Sequence, residues 1–493
     1  MTTQYGFFID SARCTGCKTC ELACKDYKNL TPEVSFRRIY EYAGGDWQED
    51  NGVWNQNVFA YYLSIACNHC EDPACTKVCP SGAMHKREDG FVVVNEEVCI
   101  GCRYCHMACP YGAPQYNADK GHMTKCDGCH ERVAEGKKPI CVESCPLRAL
   151  DFGPIAELRA KHGQLAAVAP LPSAHFTRPS IVIKPNANAR RVAIPLVTWR
   201  TRRRCEMGNG WHEWPLMIFT VFGQCVAGGF IVLALALMTG KLSREQEQRV
   251  VGSMFGLWVL MGVGFIASTM HLGSPLRAFN SLNRVGASSL SNEIASGAIF
   301  FAIGGIGWLL AVCKKLPAGL RSLWLVVTMA LGVIFVWMMV RVYNTIDTVP
   351  TWYTVWTPLS FFLTLFIGGP LLGYLLLRVA GVDGWAMRLL PVVTLLALLA
   401  SIVVVLMQGI ELATIRSSIQ QASALVPDYG LLMAWRVVLL ALALACWCVP
   451  QIRGRKPALS LLGLAFVLVL AGEMIGRGVF YGLHMTVGMA IAS

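Results

Sequence analysis

Residues Cys99–Pro110 read CIGCRYCHMACP, a C-x2-C-x2-C-x3-C-P run, and this is the spacing that holds cubane iron–sulfur clusters. Cys99, Cys102 and Cys105 lie near enough in sequence to wrap one face of a cluster, while Cys109 leaves the loop and serves a second cluster nearby. Pro110 stops the chain from continuing as helix. Zinc also uses C-x2-C pairs, but its four ligands are as a rule drawn from two pairs far apart. Four cysteines in one run closed by proline form the more specific pattern.

Working outward, the run is one of four. Sixteen of the 21 cysteines fall into Cys14, Cys17, Cys20, Cys24; Cys67, Cys70, Cys75, Cys79; Cys99, Cys102, Cys105, Cys109; and Cys126, Cys129, Cys141, Cys145. Three groups end alike, in Cys79-Pro80, Cys109-Pro110 and Cys145-Pro146, while Lys25 follows Cys24 in the first. This is an internal repeat of a ferredoxin-like unit. The longer gaps before Cys75 and Cys141 read as loop insertions. Sixteen thiolates make four sites of four. Because the fourth cysteine of a group serves the partner cluster, group one pairs with four and group two with three. The expected sets are Cys14/Cys17/Cys20/Cys145, Cys126/Cys129/Cys141/Cys24, Cys67/Cys70/Cys75/Cys109 and Cys99/Cys102/Cys105/Cys79. Apolar strands are predicted at Tyr5–Ile9, Phe59–Ile65 and Phe91–Val94, and an amphipathic helix over Asp151–Ala167. The run Cys126-Asp-Gly-Cys129-His130 also matches a haem attachment pattern, but both cysteines are already claimed by the fourth group.

The remainder is different in kind. The 493 residues are 54% hydrophobic and 15% charged, against roughly a quarter charged in a soluble protein, so much of the chain belongs in lipid. Eight apolar stretches of about 20 or more residues, the length a helix needs to cross hydrocarbon, run near 215–238, 250–270, 293–313, 320–343, 355–379, 385–408, 430–450 and 458–480. The net charge of +12 is placed at helix ends and in the run Trp199–Arg204, as membrane proteins require, which argues against a nucleic-acid partner. The basic run itself reads as a solvated linker rather than a lipid-binding patch. Loops after spans one, three, five and seven carry eleven Lys and Arg (Lys241, Arg244, Arg249, Lys314, Lys315, Arg321, Arg378, Arg388, Arg453, Arg455, Lys456); the alternate loops and tail carry Arg277, Arg284, Arg341, Arg416 and Arg477, with Arg436 a sixth if counted. The richer side is predicted to be cytoplasmic, which puts both bundle termini and the cysteine-rich domain on the outer side of the membrane. The N-terminus MTTQYGFFID has no basic segment before a long apolar core, so no signal peptide is expected.

With both halves read, a resemblance emerges. SARCTGCKTCELACK, CNHCEDPACTKVCPSGAMHKREDGFVVV, CIGCRYCHMACPYG and the KCDGC…CVESCPLRALDFGP pair resemble the four-cluster electron-transfer subunit of bacterial anaerobic dimethyl sulfoxide reductases. Residues 207–493, opening MGNGWHEWPLMIFTVFGQC, resemble the membrane anchor subunit of that family. The implied fold is an α+β ferredoxin-like four-cluster domain (1–186), a basic junction (187–206) and an all-α bundle of eight transmembrane helices (207–493). The implied function is menaquinol oxidation in the anchor, four [4Fe-4S] clusters as the wire, no haem, and a molybdopterin-containing catalytic subunit that reduces S- and N-oxides. Other members carry tryptophan in the third group and a three-iron cluster; Cys102 here implies four full cubanes. The two subunits are normally separate polypeptides, and Met207 reads as a natural start. Two other assignments compete: the same wire serving a tetrathionate, polysulfide or nitrate-type enzyme, and a zinc-stabilised domain on a membrane scaffold.

Quinol oxidation needs a proton acceptor near the face where the clusters lie. Ionisable residues in or beside spans are costly and so are default site candidates. His271, Arg277 and Glu293 are predicted to converge there; a histidine titrating near neutral pH suits the role. The bland alternatives are an interfacial histidine and a carboxylate facing a helix dipole. His212, Glu213 and Trp214 read as an interfacial anchor or a pocket wall, and Glu473 and Arg477, four apart, as a pair across one helical turn.

Overall fold

The computed structural model describes residues 3–190, 210–417 and 420–488. The basic run and Met207 lie outside the described residues.

The cysteine-rich half is built from short elements because its loops are shaped by the cysteine groups. Its strands are β1 (Tyr5–Asp10), β2 (Arg38–Gly44), β3 (Trp47–Asp50), β4 (Val53–Gln56), β5 (Phe59–Ile65), β6 (Met84–Lys86), β7 (Val92–Val94), β8 (Gln115–Asn117), β9 (His122–Thr124), β10 (Leu150–Pro154) and β11 (Ile181–Lys184). Its helices are α1 (Thr19–Tyr27), α2 (Ala74–Val78), α3 (Tyr104–Ala108), α4 (His130–Ala134), α5 (Ile140–Glu143) and α6 (Ile155–His162). β1 sits between β10, antiparallel with Phe7 opposite Phe152, and β11, parallel with Phe7 opposite Ile181. The helix predicted over Asp151–Ala167 is corrected: Leu150–Pro154 is strand, held by β1, and helix begins only at Ile155. Pro154 has no N–H to give a helix and occupies its N-cap, where none is needed.

One local shape recurs in all four groups. The residue just before the second cysteine has positive φ: Gly16 (+75°), His69 (+41°), Gly101 (+71°) and Gly128 (+71°). Three are glycine, which enters this region without steric cost. His69 is the exception, and its ring is used: Nδ1 accepts the Val92 N–H at 3.0 Å, and Nε2 lies 3.8 Å from Cys126 Sγ.

The second half is helical throughout: α7 (Trp214–Met238), α8 (Arg244–Ser253), α9 (Phe255–Met270), α10 (Ser289–Val312), α11 (Ala318–Asn344), α12 (Trp356–Val379), α13 (Leu389–Leu412), α14 (Tyr429–Ile452) and α15 (Leu459–Gly482). Helices α8 and α9 make one span, giving eight helical segments long and apolar enough to cross a membrane among the described residues. All eight overlap the stretches predicted from the sequence. The centre is α7, whose Gly228 meets Gly369 of α12 so closely that a Cβ on Gly369 would stand 2.5 Å from Gly228 Cα; small residues let membrane helices approach by backbone.

The two halves touch along one face. The segments after the second, fourth and eighth spans carry the cysteine domain. Ser274 N–H donates to Ile100 O (3.1 Å), Ser288 Oγ to Val78 O (2.8 Å), Thr348 Oγ1 to Ala108 O (2.8 Å) and His484 Nε2 to Met107 O (2.9 Å). Burial holds His484 neutral, pushing its pKa down to about 4. On the opposite face, Lys456 pairs with Asp383 at 2.6 Å and Arg321 with Glu247 at 2.7 Å. The cysteine domain therefore sits on the side poor in basic residues.

Arg284 is the firmest clamp. It donates to Thr76 O and, at 3.3 Å, to Cys79 O. Arg284→Ala leaves half-buried carbonyls unpaired, at a cost of roughly 1–3 kcal/mol, or about 5- to 150-fold in affinity. With the halves expressed as two separate polypeptides, retention of the cysteine domain on washed membranes is expected to fall by that factor; unchanged retention would show that the clamp is dispensable.

Candidate functional site

The structure gathers the sixteen cysteines into four groups of four. Cys14, Cys17, Cys20 and Cys145 line one cavity, and Cys67, Cys70, Cys75 and Cys109 another. Cys24 stands with Cys126, Cys129 and Cys141, and Cys79 with Cys99, Cys102 and Cys105. In each set one cysteine is the last of another sequence group, so the chain is laced crosswise.

Burial makes most of these thiols poorer acids, while exposed Cys17 is lowered by its hydrogen bond to Thr19. Burial raises Cys24 and Cys102 to about 12 and Cys109 to about 11. A cluster ligand must be a thiolate, so the charge that deprotonates them has to come from iron. Local donors wait for that charge: Met84 N–H points at Cys79 Sγ (3.4 Å) and Ala149 N–H at Cys145 Sγ (3.3 Å). The donor chemistry and spacing fit iron–sulfur clusters.

The set containing Cys102 rests on the membrane half. Tyr104 and Ala108 of α3 belong to the apolar core of the helical bundle, with Ala74, Val78, Cys102 and Met107 packed against it. Tyr104, 3% exposed, donates to Val342 O. Burial pushes its phenol well above the usual range, and nearby Glu293 and Cys102 push the same way. Tyr104 is thus in electrostatic range of both Cys102 and Glu293.

Around that point the bundle is polar. His271, at the C-terminal end of α9, places Nδ1 3.0 Å from Glu213 Oε2, and its Nε2 has no hydrogen-bond partner. Tyr343 of α11 and Tyr481 of α15 share a 2.7 Å hydrogen bond. Glu293 is in electrostatic range of both tyrosines, and Glu213 of Tyr481. Of the three residues expected to converge, His271 and Glu293 face this cluster. Arg277 does not: its Nη1 donates to Glu96 O (2.6 Å) and Cys99 O (3.5 Å), clamping the third cysteine loop. Glu213 joins the site through His271. Glu473 and Arg477 do not pair across a turn. Glu473 is bound by Arg436 (3.2 Å) and Thr364 (2.6 Å), while Arg477 reaches Gln224 (3.0 Å) and lies 3.7 Å over Phe361. Sequence reasoning misses Tyr104, Tyr343 and Tyr481; Tyr343 and Tyr481 each lie next to the C-terminal residue of a span, while Tyr104 opens a short helix of the cysteine domain.

Comparison with known proteins settles the class. The DMSO reductase anchor subunit model matches residues 207–483, more than half of the chain. The chain belongs to that family. A 4Fe-4S dicluster domain also matches residues 58–155. The C subunit of the anaerobic dimethyl sulfoxide reductase of Escherichia coli K12 is 76% identical over 287 residues, 58% of this chain and all of that protein. The B subunit from the same organism is 91% identical over 190 residues, 38% of this chain and 93% of that protein. The C subunit of the Haemophilus influenzae reductase is 41% identical over 285 residues, 58% of this chain and 99% of that protein. One polypeptide therefore joins an electron-transfer part similar to the B subunit to an anchor similar to the C subunit. It is an iron–sulfur, multi-pass membrane component of a reductase complex of the dimethyl sulfoxide type.

Proposed function

We propose that this chain oxidises menaquinol where the bundle meets the Cys102 loop, and passes the electrons through four [4Fe-4S] clusters to a molybdopterin-containing catalytic subunit that reduces dimethyl sulfoxide and related S- and N-oxides. The observation that carries this is the seating of one cysteine set on the apolar core of the bundle, with Tyr104 in electrostatic range of the buried Glu293. The sixteen cysteines of the four sets are the proposed ligands; when bound, each cluster accepts and passes on one electron at a time. The names of the relatives weigh for dimethyl sulfoxide over tetrathionate, polysulfide or nitrate.

A quinol gives up two protons with its two electrons. His271, whose Nδ1 lies 3.0 Å from Glu213 Oε2, is the first candidate acceptor, and Glu293, 3% exposed, is the second. The cysteine domain and both bundle ends are assigned to the periplasmic side, supported by eleven basic residues on the opposite loops.

The complex is expected to carry about sixteen iron atoms per chain, four per cubane. Adding a menaquinol analogue anaerobically should reduce the clusters, seen by electron paramagnetic resonance. Half that iron, or zinc in a colourless protein, would overturn the four-cluster reading; full iron with no reduction by the quinol would overturn the donor.

A further inference from the structure

Two cations are buried inside the cysteine domain with no anion of their own. Arg37 is 1% exposed; its Nη1 donates to Ser64 O (2.9 Å) and Ser64 Oγ (3.1 Å), its guanidinium lies 4.9 Å over the Phe7 ring, and its Nε has no partner. Lys125 is 5% exposed; its Nζ donates to Val92 O and, at 2.7 Å, to Cys126 O. Among the described residues neither side chain forms an ion pair with a carboxylate. A buried cation is retained only where a counter-charge balances it, and what surrounds these two is cysteine. Arg37 lies in electrostatic range of Cys20, Cys24, Cys126 and Cys141. Lys125 is in range of Cys67, Cys75 and Cys126. His69, between them, is held well below its usual range, first by burial and then by these same two charges, so it adds no third cation.

The four thiol sets run in file. Cys105 of the membrane-side set is in range of Cys75, Cys126 is in range of Cys67, and Cys20 is in range of Cys141. Lys125 therefore stands at the junction of the second and third sets from the membrane, and Arg37 at the junction of the third and fourth. The membrane-side set has Arg277 near Cys99, but that guanidinium is half-buried and bound to carbonyls at the interface.

We propose that Arg37 and Lys125 are fixed positive charges that set the reduction potentials of the three sets beyond the membrane junction, so that an electron entering at Cys102 is drawn away from the bundle. Adding an electron makes a cluster more negative, and a nearby buried cation favours that form because little solvent screens it. Both are positioning residues: they touch no substrate and act through the field at the sulfurs. This inference rests on the four-cluster reading, and iron content separates the two.

The test is a redox titration of the whole complex in membranes, followed by electron paramagnetic resonance, with iron measured on each sample. Arg37→Gln with full iron should shift two midpoint potentials to more negative values and leave the membrane-side one in place; Arg37→Lys, which keeps the charge, should restore them. Lys125→Met should move the second and third sets from the membrane. Full iron with unmoved potentials in both Arg37→Gln and Lys125→Met overturns the inference and leaves the clusters standing. If Arg37→Gln loses iron, Arg37→Lys decides: restored iron with native potentials supports the charge, while lost iron, or restored iron with shifted potentials, refutes it. Low iron in the unsubstituted complex would instead overturn the four-cluster reading itself.

Discussion

Cys102→Ser is expected to abolish quinol-driven turnover while leaving the helical bundle inserted and the complex assembled. Cys102 belongs to the set that rests on the bundle, packed against its apolar core. A serine oxygen is a harder and poorer ligand for iron than a thiolate. The site is also apolar: burial already raises the thiol to about 12, and a hydroxyl there is far harder to deprotonate. Removing a partner outside the ligand shell typically costs about 10- to 100-fold in metal affinity or activity, and loss of a direct ligand costs at least that. On the proposed path the position makes the effect severe, because electrons from the membrane junction would meet this set first, with the other three behind it. The measurement is paired: reduction of substrate driven by a menaquinol analogue, and reduction driven by an artificial dye that delivers electrons downstream. The first should fall by more than about tenfold and the second should survive. Unchanged quinol-driven turnover would remove this set from the path.

The grouping of the cysteines was legible because it is written in local spacing. C-x2-C-x2-C fixes three ligands within one turn of chain, and the proline after the fourth marks where the chain departs. The spans were legible for a similar reason: hydrocarbon thickness imposes a length, and the eight apolar stretches fall on the eight helical spans. What could not be read depended on long-range pairing. Asp151–Ala167 has helical spacing, but β1 captures Leu150–Pro154 as a strand. Arg277 looked like a site residue because it sits six positions after His271, yet carbonyls of a loop 178 positions away claim its guanidinium. Glu473 and Arg477 satisfy a helix-turn rule, but deep in the bundle Arg436 and Gln224 offer better-oriented partners from other helices. Tyr343 and Tyr481 are 138 positions apart, and nothing local in either helix announces their hydrogen bond.

His271→Arg is expected to remove most quinol oxidation without releasing the cysteine domain. The imidazole Nδ1 lies 3.0 Å from Glu213 Oε2, and among the described residues its Nε2 has no hydrogen-bond partner. A neutral imidazole beside a carboxylate suits a general base. An arginine at this position keeps a partner for Glu213, so the local fold has little reason to fail. It offers no lone pair, however, and puts a permanent cation where a departing proton must be received. General base catalysis is worth about 10²- to 10⁴-fold, so quinol-driven turnover should drop by about two orders of magnitude, while dye-driven reduction in the same membranes stays near its original level. His271→Gln separates charge from basicity, being neutral, similar in size and a poor proton acceptor. If both variants lose quinol-driven turnover alone, His271 is the acceptor. If only the arginine variant loses it, the added charge is the cause and the acceptor is elsewhere, with Glu293 next to be replaced. If quinol- and dye-driven activities fall together at equal complex content, His271 holds the bundle end in shape and takes no proton from the quinol.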